Sequence, residues 1–354
     1  LDNLKKLRYK KIEIIVSDDK SKDSCKRLVQ KYIKNNPRQN IILVGKRKNG
    51  GRGAAINLGL KHANGEIVVA FDADCEFEKH AIHRLVAYFA RDKVAAVAAN
   101  VRIIEDGSVL GIIQQLEYLV SFRSKKFNSL TKSEYIIGGA GASYRKDILK
   151  SVGGFDERMK TEDIELSMRM TRKLGNKAEL IYASDYLVFT APVPTYKALF
   201  RQRYRWKFGS LQAFYHNKKL LLSVSKHHNP FTSWVRLPFS LWAEFMLILE
   251  PLLFTMFVYY AIIYKNAILF ISACGVYCVI LCLAVMSDEH LRKIEKVKLM
   301  AIAPFMYPAS MVISIVQVVA AYRSIRNYKQ IVGKKKVTGS YITTQRAVDL
   351  PGVS

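Results

Sequence analysis

The chain changes texture once, near residue 230. Before that point short apolar blocks alternate with charged, amphipathic stretches; after it long apolar runs take over. Positions 11–17, with Ile12, Ile14, Ile15 and Val16, read as a strand ending at Asp18-Asp19, and 41–44 reads as a second strand. Helices are expected over 23–35, capped by Asp23 or Ser24, and over 54–63. The run 66–74 is rich in β-branched residues and ends in Asp72-Ala73-Asp74, the pattern of a strand buried on both faces. A helix at 80–90, a strand at 94–101 and a long amphipathic helix at 110–130 carrying Glu117, Tyr118 and Arg123 continue the alternation. After the break Pro192-Val193-Pro194 comes a helix at 196–215. Strands alternating with helices predict an α/β domain with a Rossmann-like, mostly parallel sheet.

Beyond Trp234 three stretches, 239–264, 267–286 and 299–322, are long enough to cross a bilayer. Glu244 and Glu250 make the first costly unless they are interfacial or paired. Pro304 and Pro308 interrupt the third. The flanks 287–298 and 323–336 are both basic, which predicts that both face the cytosol. Three full crossings would instead separate them. One segment is therefore expected to be interfacial or re-entrant, the Pro-broken third first and the Glu-bearing first second. The expected division is 1–192 catalytic, 193–230 interfacial, 231–322 transmembrane and 323–354 a basic tail.

Charge sharpens the picture. Lys plus Arg number 56 against 29 Asp plus Glu, a net charge of +27, which favours phosphate-bearing substrates, nucleic acid or an anionic lipid surface. The five cysteines (Cys25, Cys75, Cys274, Cys278, Cys282) form no CxxC pair and fit free thiols in a reducing compartment. Ligands of open α/β sheets gather at the carboxyl ends of strands, where Asp72 and Asp74 would lie. Paired hard oxygens there suit Mg2+ or Mn2+ holding a diphosphate. Gly50-Gly51-Arg52-Gly53 opens a helix and could bring backbone N–H groups to a phosphate, although a flexible basic loop has the same composition. The small-residue run Gly138-Gly139-Ala140-Gly141 permits close approach to a ligand or neighbour. Thr161-Glu162-Asp163 reads as a capped helix start, or as a carboxylate facing a cleft as general base. Gln202, Arg205 and Trp206 share one helix face, suited to a diphosphate and a sugar or to a membrane surface.

Asp18-Asp19, Asp72-Ala73-Asp74, Thr161-Glu162-Asp163 and Gln202-Arg203-Tyr204-Arg205-Trp206 together resemble the membrane-bound family 2 glycosyltransferases, which include cellulose, hyaluronan and poly-β-1,6-N-acetylglucosamine synthases. Gly51-Arg52-Gly53-Ala54-Ala55-Ile56-Asn57 is similar to the family's G-K-A-x-A-L-N loop, with arginine at the usual lysine. Leu116-Glu117-Tyr118, 138–145, Gly153-Gly154-Phe155 and, loosely, 339–346 are similar to the poly-N-acetylglucosamine branch. The resemblance implies a GT-A type nucleotide-sugar-binding domain and inverting transfer from a UDP-sugar to a growing polysaccharide. It implies Asp163 as the base, and Asp74 with Asp72 as metal ligands. Asp18, Asp19, Asp72, Arg52 and Arg205 would bind the nucleotide, with Glu162, Gln202, Arg203 and Trp206 on the acceptor side. It also implies a multi-pass protein of the cell membrane with a cytoplasmic catalytic domain, no nucleic-acid partner, and an accessory membrane subunit as a candidate partner. Lys20 departs from the family's D-D-G, and the family's opening strand and amino-terminal membrane helices are expected ahead of Leu1. Single transfer to a lipid acceptor, or a basic protein binding lipid or nucleic acid without catalysis, are the competing readings.

Overall fold

The computed structural model describes residues 1–332; the basic stretch 333–354 lies outside the described residues. After a short helix α1 (Asp2–Lys5), β1 (Ile14–Asp18), α2 (Cys25–Asn35) and β2 (Ile41–Gly45) form a βαβ unit with Ile14 level with Ile41. These two strands form a parallel sheet of their own. Then come α3 (Arg52–His62), β3 (Ile67–Ala70), β4 (Cys75–Phe77), α4 (Ala81–Phe89), β5 (Val94–Ile103), α5 (Val109–Leu130), β6 (Ala142–Arg145), α6 (Lys146–Ser151), α7 (Glu162–Leu174) and β7 (Glu179–Thr190).

The second sheet has the order β3-β6-β5-β7-β4. Only β5 and β7 pair in parallel there; β3–β6, β5–β6 and β4–β7 are antiparallel. The domain is α/β as expected, but this sheet is mixed rather than mostly parallel. The reason is visible in its ends. β3 and β4 sit at opposite edges yet are joined by residues 71–74 alone, so Ala70 and Cys75 can be at most about 18 Å apart, less than the width of about 19 Å across five flat strands. The sheet must therefore curl until its edges nearly meet. Phe71 stacks on Phe77 at 4.0 Å inside that curl, and Phe77 on Tyr186 at 6.0 Å. The run 66–74 is thus not one strand: it leaves the ladder after Ala70, and its residues 67–69 are half-buried at an edge rather than sealed on both faces. The strand sealed in the core is β5, whose alanines Ala95, Ala96, Ala98 and Ala99 let neighbouring elements approach closely.

Five further helices complete the described chain: α8 (Tyr196–His216), α9 (Leu237–Ile263), α10 (Ile268–Met286), α11 (Lys293–Ile302) and α12 (Met306–Arg326), followed by the short α13 (Tyr328–Ile331). Three helical stretches, Thr232–Ile263, Ile268–Met286 and Lys293–Arg326, are by length and composition apolar enough to cross a membrane. Both acids of the first find partners: Glu244 meets Lys207 of α8, and Glu250 Oε2 accepts a hydrogen bond from Ser314 Oγ at 2.6 Å. The 3-10 turn Ala303–Phe305 breaks the third stretch, with Pro304 inside it and Pro308 in the first turn of α12. A proline there removes no intrahelical hydrogen bond. The helix over 196–215 was expected at an interface. Here α8 is wedged between α7 and α12, burying Leu199, Gln202, Arg203, Lys207 and Phe208.

Candidate active site

The closing turn of the curled sheet puts Asp72 and Asp74 at the seam. With Cys75 they form a group whose potential ligand atoms all lie within 4.8 Å of one another. Cys75 Sγ is 3.5 Å from Asp74 Oδ1. Two half-exposed carboxylates supply hard oxygens, and the adjoining thiol is compatible with the softer end of that metal range. The donor set fits a divalent cation. Cys75 was not singled out as a member of this group, since its signal was only adjacency to the motif.

Arg52, at the start of α3, ties the site together. Its Nε donates to Asp72 Oδ1 at 2.7 Å and its Nη1 to Glu162 Oε1 at 2.7 Å. Asp163 adds a third negative charge nearby. These carboxylates hold the guanidinium's pKa well above its ordinary value, against the opposing effect of burial. The Asp72-Ala73-Asp74 turn and the Thr161-Glu162-Asp163 helix start are therefore neighbours, joined through one arginine. Arg52 Nη2 is buried with no hydrogen-bond partner. Glu162 is only 2% exposed. Burial raises its carboxyl pKa, the neighbouring Asp163 raises it further, and Arg52 opposes both.

Asp163 is half-buried and fixed from two sides. Gly139 N–H donates to its Oδ2 at 2.9 Å, and Ile164 N–H to its Oδ1 at 2.9 Å. The close approach expected of the glycine run is made here to this carboxylate: a Cβ on Gly138 would stand 3.2 Å from Oδ2. Gly139 has φ +89°, a backbone region that glycine enters without a steric penalty. Thr161 does occupy the N-cap of α7, but its side chain makes no capping bond and its buried Oγ1 has no partner. Packing explains this. Gly209 of α8 lies so close that a Cβ there would fall 2.3 Å from Thr161 Oγ1. That crossing, invisible to motif spacing, fixes α8 against the site.

The glycine loop is anchored from within the chain. Asp19 accepts N–H bonds from Gly50 at 2.9 and 3.1 Å and from Gly51 at 2.7 Å, so one of the chain's own carboxylates holds the N–H groups ahead of α3. Asp18 Oδ1 accepts from Ser21 N–H at 3.1 Å across a turn in which Lys20 takes φ +65°. Lysine thus takes a backbone shape that glycine enters more readily.

On α8, Arg203 reaches Glu117 of α5 at 2.6 Å and stacks on Trp206 with its guanidinium carbon 4.4 Å from the ring centroid. Burial pushes the Glu117 carboxyl pKa up, and Arg203 counters it. Lys207 is pushed down to about 8 by burial and then by Arg203, while the abutting Glu244 favours its charged form. Gln202 is buried, with an unpartnered Oε1. Arg205 and Trp206 are half-buried. A separate cavity of about 610 Å³, lined in part by Asn57, Arg158, Arg169 and Arg172, contains none of the predicted site residues.

Residues 1–153 match the family described as Glycosyl transferase family 2, and the fold is of the GT-A type. Over 211 residues it is 32% identical to poly-beta-1,6-N-acetyl-D-glucosamine synthase of Staphylococcus aureus strain COL and 31% identical to that of Staphylococcus epidermidis. Each match covers 59% of this chain and 50% of the relative, so the chain spans about half the length of these proteins. In fold it is similar to mannosyltransferase PcManGT from Pyrobaculum calidifontis, solved in complex with GDP-Man and Mn2+. That likeness has a TM-score of 0.58 at 19% identity, over 92% of this chain and 82% of the other.

Proposed function

We propose that this protein is an inverting glycosyltransferase that moves a sugar, N-acetylglucosamine foremost, from a UDP donor to a growing polysaccharide at the membrane. One observation carries the reading: Arg52 bridges Asp72 and Glu162, so metal-type ligands and a candidate base line a single cleft. Inversion by one in-line displacement needs a base for the acceptor hydroxyl and relief of charge on the leaving diphosphate, and no enzyme nucleophile.

Asp163 takes the acceptor proton, oriented by Gly139 and Ile164. Asp74, with Asp72 and Cys75 beside it, would hold Mg2+ or Mn2+. When bound, the cation supplies positive charge to the diphosphate. Arg52 Nη2, buried without a partner, is the donor available to a phosphate oxygen. Asp18 and Asp19 shape the nucleotide side, Asp19 through the loop it anchors, and Arg205 adds positive charge. Gln202 Oε1 is a buried acceptor for a sugar hydroxyl, and Trp206, backed by Arg203, offers an aromatic surface. The candidate membrane helices support a multi-pass protein of the cell membrane with its catalytic domain on the cytoplasmic side.

A panel of radiolabelled UDP-sugars with Mg2+ or Mn2+ tests this directly. Asp163→Asn should lower transfer by 10²-fold or more, at the scale of a lost general base, while UDP still binds. Loss of UDP binding in that variant would refute the base assignment. Product length separates polymer synthesis from single transfer to a lipid acceptor.

A further inference from the structure

The third apolar stretch meets the first two at a level that can be read from side-chain contacts. Phe254 lies nine residues before the end of α9 at Ile263, and Tyr277 nine residues after the start of α10 at Ile268. In an antiparallel pair joined by a short loop, those positions stand side by side, each about 14 Å from its helix end at 1.5 Å per residue. The Tyr307 ring packs against both, 5.6 Å from Phe254 and 5.5 Å from Tyr277. Tyr307 is the second residue of α12. The turn joining α11 to α12 thus sits level with the middle of α10 and about 14 Å short of the Ile263 end of α9.

Both ends of the stretch return to the catalytic domain. Just after α10, Asp288 pairs with Arg102 of β5 at 2.6 Å, and His290 Nε2 lies 2.9 Å from the Ser184 carbonyl of β7. Lys296 of α11 donates to the Met286 carbonyl at 2.8 Å, and Lys298 faces Glu105 at 3.7 Å. α11 has ten residues, about 15 Å, half of what a crossing requires. From Tyr307, α12 runs back alongside α9, with Ser314 against Glu250. It ends at α8: the Arg323 guanidinium carbon is 4.8 Å from the Phe200 ring centroid, and Asn327 Nδ2 donates to Tyr204 OH at 3.2 Å.

We propose that α9 and α10 are the two complete crossings of the described chain and that α11 and α12 form a re-entrant hairpin. Its tip at Ala303–Phe305 stops midway through the bilayer, and Asn327 lies on the same side as the catalytic domain. The hairpin buries Ser310 and Ser314 inside the bundle, consistent with the rule that irregular backbone at membrane depth is covered by protein. It also satisfies the basic flanks, since residues 287–298 and Arg323 then share one face. The inference does not depend on the sugar chemistry.

The test is thiol labelling with a membrane-impermeant maleimide in sealed vesicles of each orientation. Native Cys25, exposed on the catalytic domain, reports which face is outward. In a Cys25→Ser background, Tyr264→Cys marks the opposite face, Lys329→Cys the end of the hairpin and Phe305→Cys its tip. Lys329→Cys should react only in vesicles where wild-type Cys25 reacts, and Tyr264→Cys only in the others. Phe305→Cys should react in neither until detergent is added. Arg326→Cys is a second reporter should Lys329→Cys fail to accumulate. Labelling of either end reporter from the Tyr264 face, or of Phe305→Cys from either face, would overturn the hairpin.

Discussion

Arg52 is the most informative residue to perturb, because the structure gives it two charged partners and a buried setting. Its guanidinium is 16% exposed, and the Glu162 carboxylate that it meets at 2.7 Å is 3% exposed. Removing one partner of a buried pair leaves an uncompensated charge, a loss of about 3–5 kcal/mol. Arg52→Ala should therefore destabilise the domain by about that much, or somewhat less because Glu162 can take up a proton. Glu162→Gln removes the stranded charge, so the double variant should be more stable than Arg52→Ala alone, with a coupling of about 1.5–3 kcal/mol. Denaturant titration of the four proteins in one detergent, followed by tryptophan fluorescence, gives the cycle. Strictly additive losses would mean that the two side chains do not act as a pair, and the claim that Arg52 joins the two acidic motifs would fail.

Three further outcomes follow from the geometry. Gly209→Ala forces a methyl group into Thr161 and should cost about 1–3 kcal/mol, read as a fall in melting temperature; an unchanged value would mean α8 does not press on the Thr161-Glu162-Asp163 turn. Asp74→Ala should abolish Mn2+ binding measured by calorimetry, whereas retained stoichiometric binding would remove Asp74 from the ligand set. Glu162 has its pKa raised on folding, so its favourable contribution is complete below the unfolded value near 4.5 and is lost as pH rises through the folded value. Melting temperature over that window should fall more steeply with pH in the wild type than in Glu162→Gln, and parallel curves would contradict the shift.

Local patterns were legible in the sequence and long-range ones were not. The elements fell close to their expected bounds because strand and helix periodicities are properties of neighbouring residues: 23–35 became Cys25–Asn35, and 110–130 became Val109–Leu130. Arg52 brings Asp72 and Glu162 together, members of two motifs that the resemblance assigned to one site. Strand direction could not be read, because nothing within 66–74 records that β3 pairs antiparallel with β6, or that 71–74 must join opposite edges of a curled sheet. Nor could the partners of individual side chains be read. Asp19, expected on the nucleotide side, holds two backbone N–H groups in the fold; Thr161 sits at the expected N-cap, but its side chain is packed under Gly209 and makes no capping bond. The acids in the first apolar stretch posed a problem that only α8 and α12 resolve, by supplying Lys207 and Ser314.

The clasp between Arg102 and Asp288 has a mechanical consequence. Arg102 belongs to β5, the strand at the middle of the five-stranded sheet, and Asp288 follows directly on the end of α10. The sheet therefore cannot part from the end of α10 without pulling apart a nearly dry ion pair of 2.6 Å. In the proposed topology the height of the sheet above the bilayer is therefore set by a short strut at the end of α10 rather than by a loose tether.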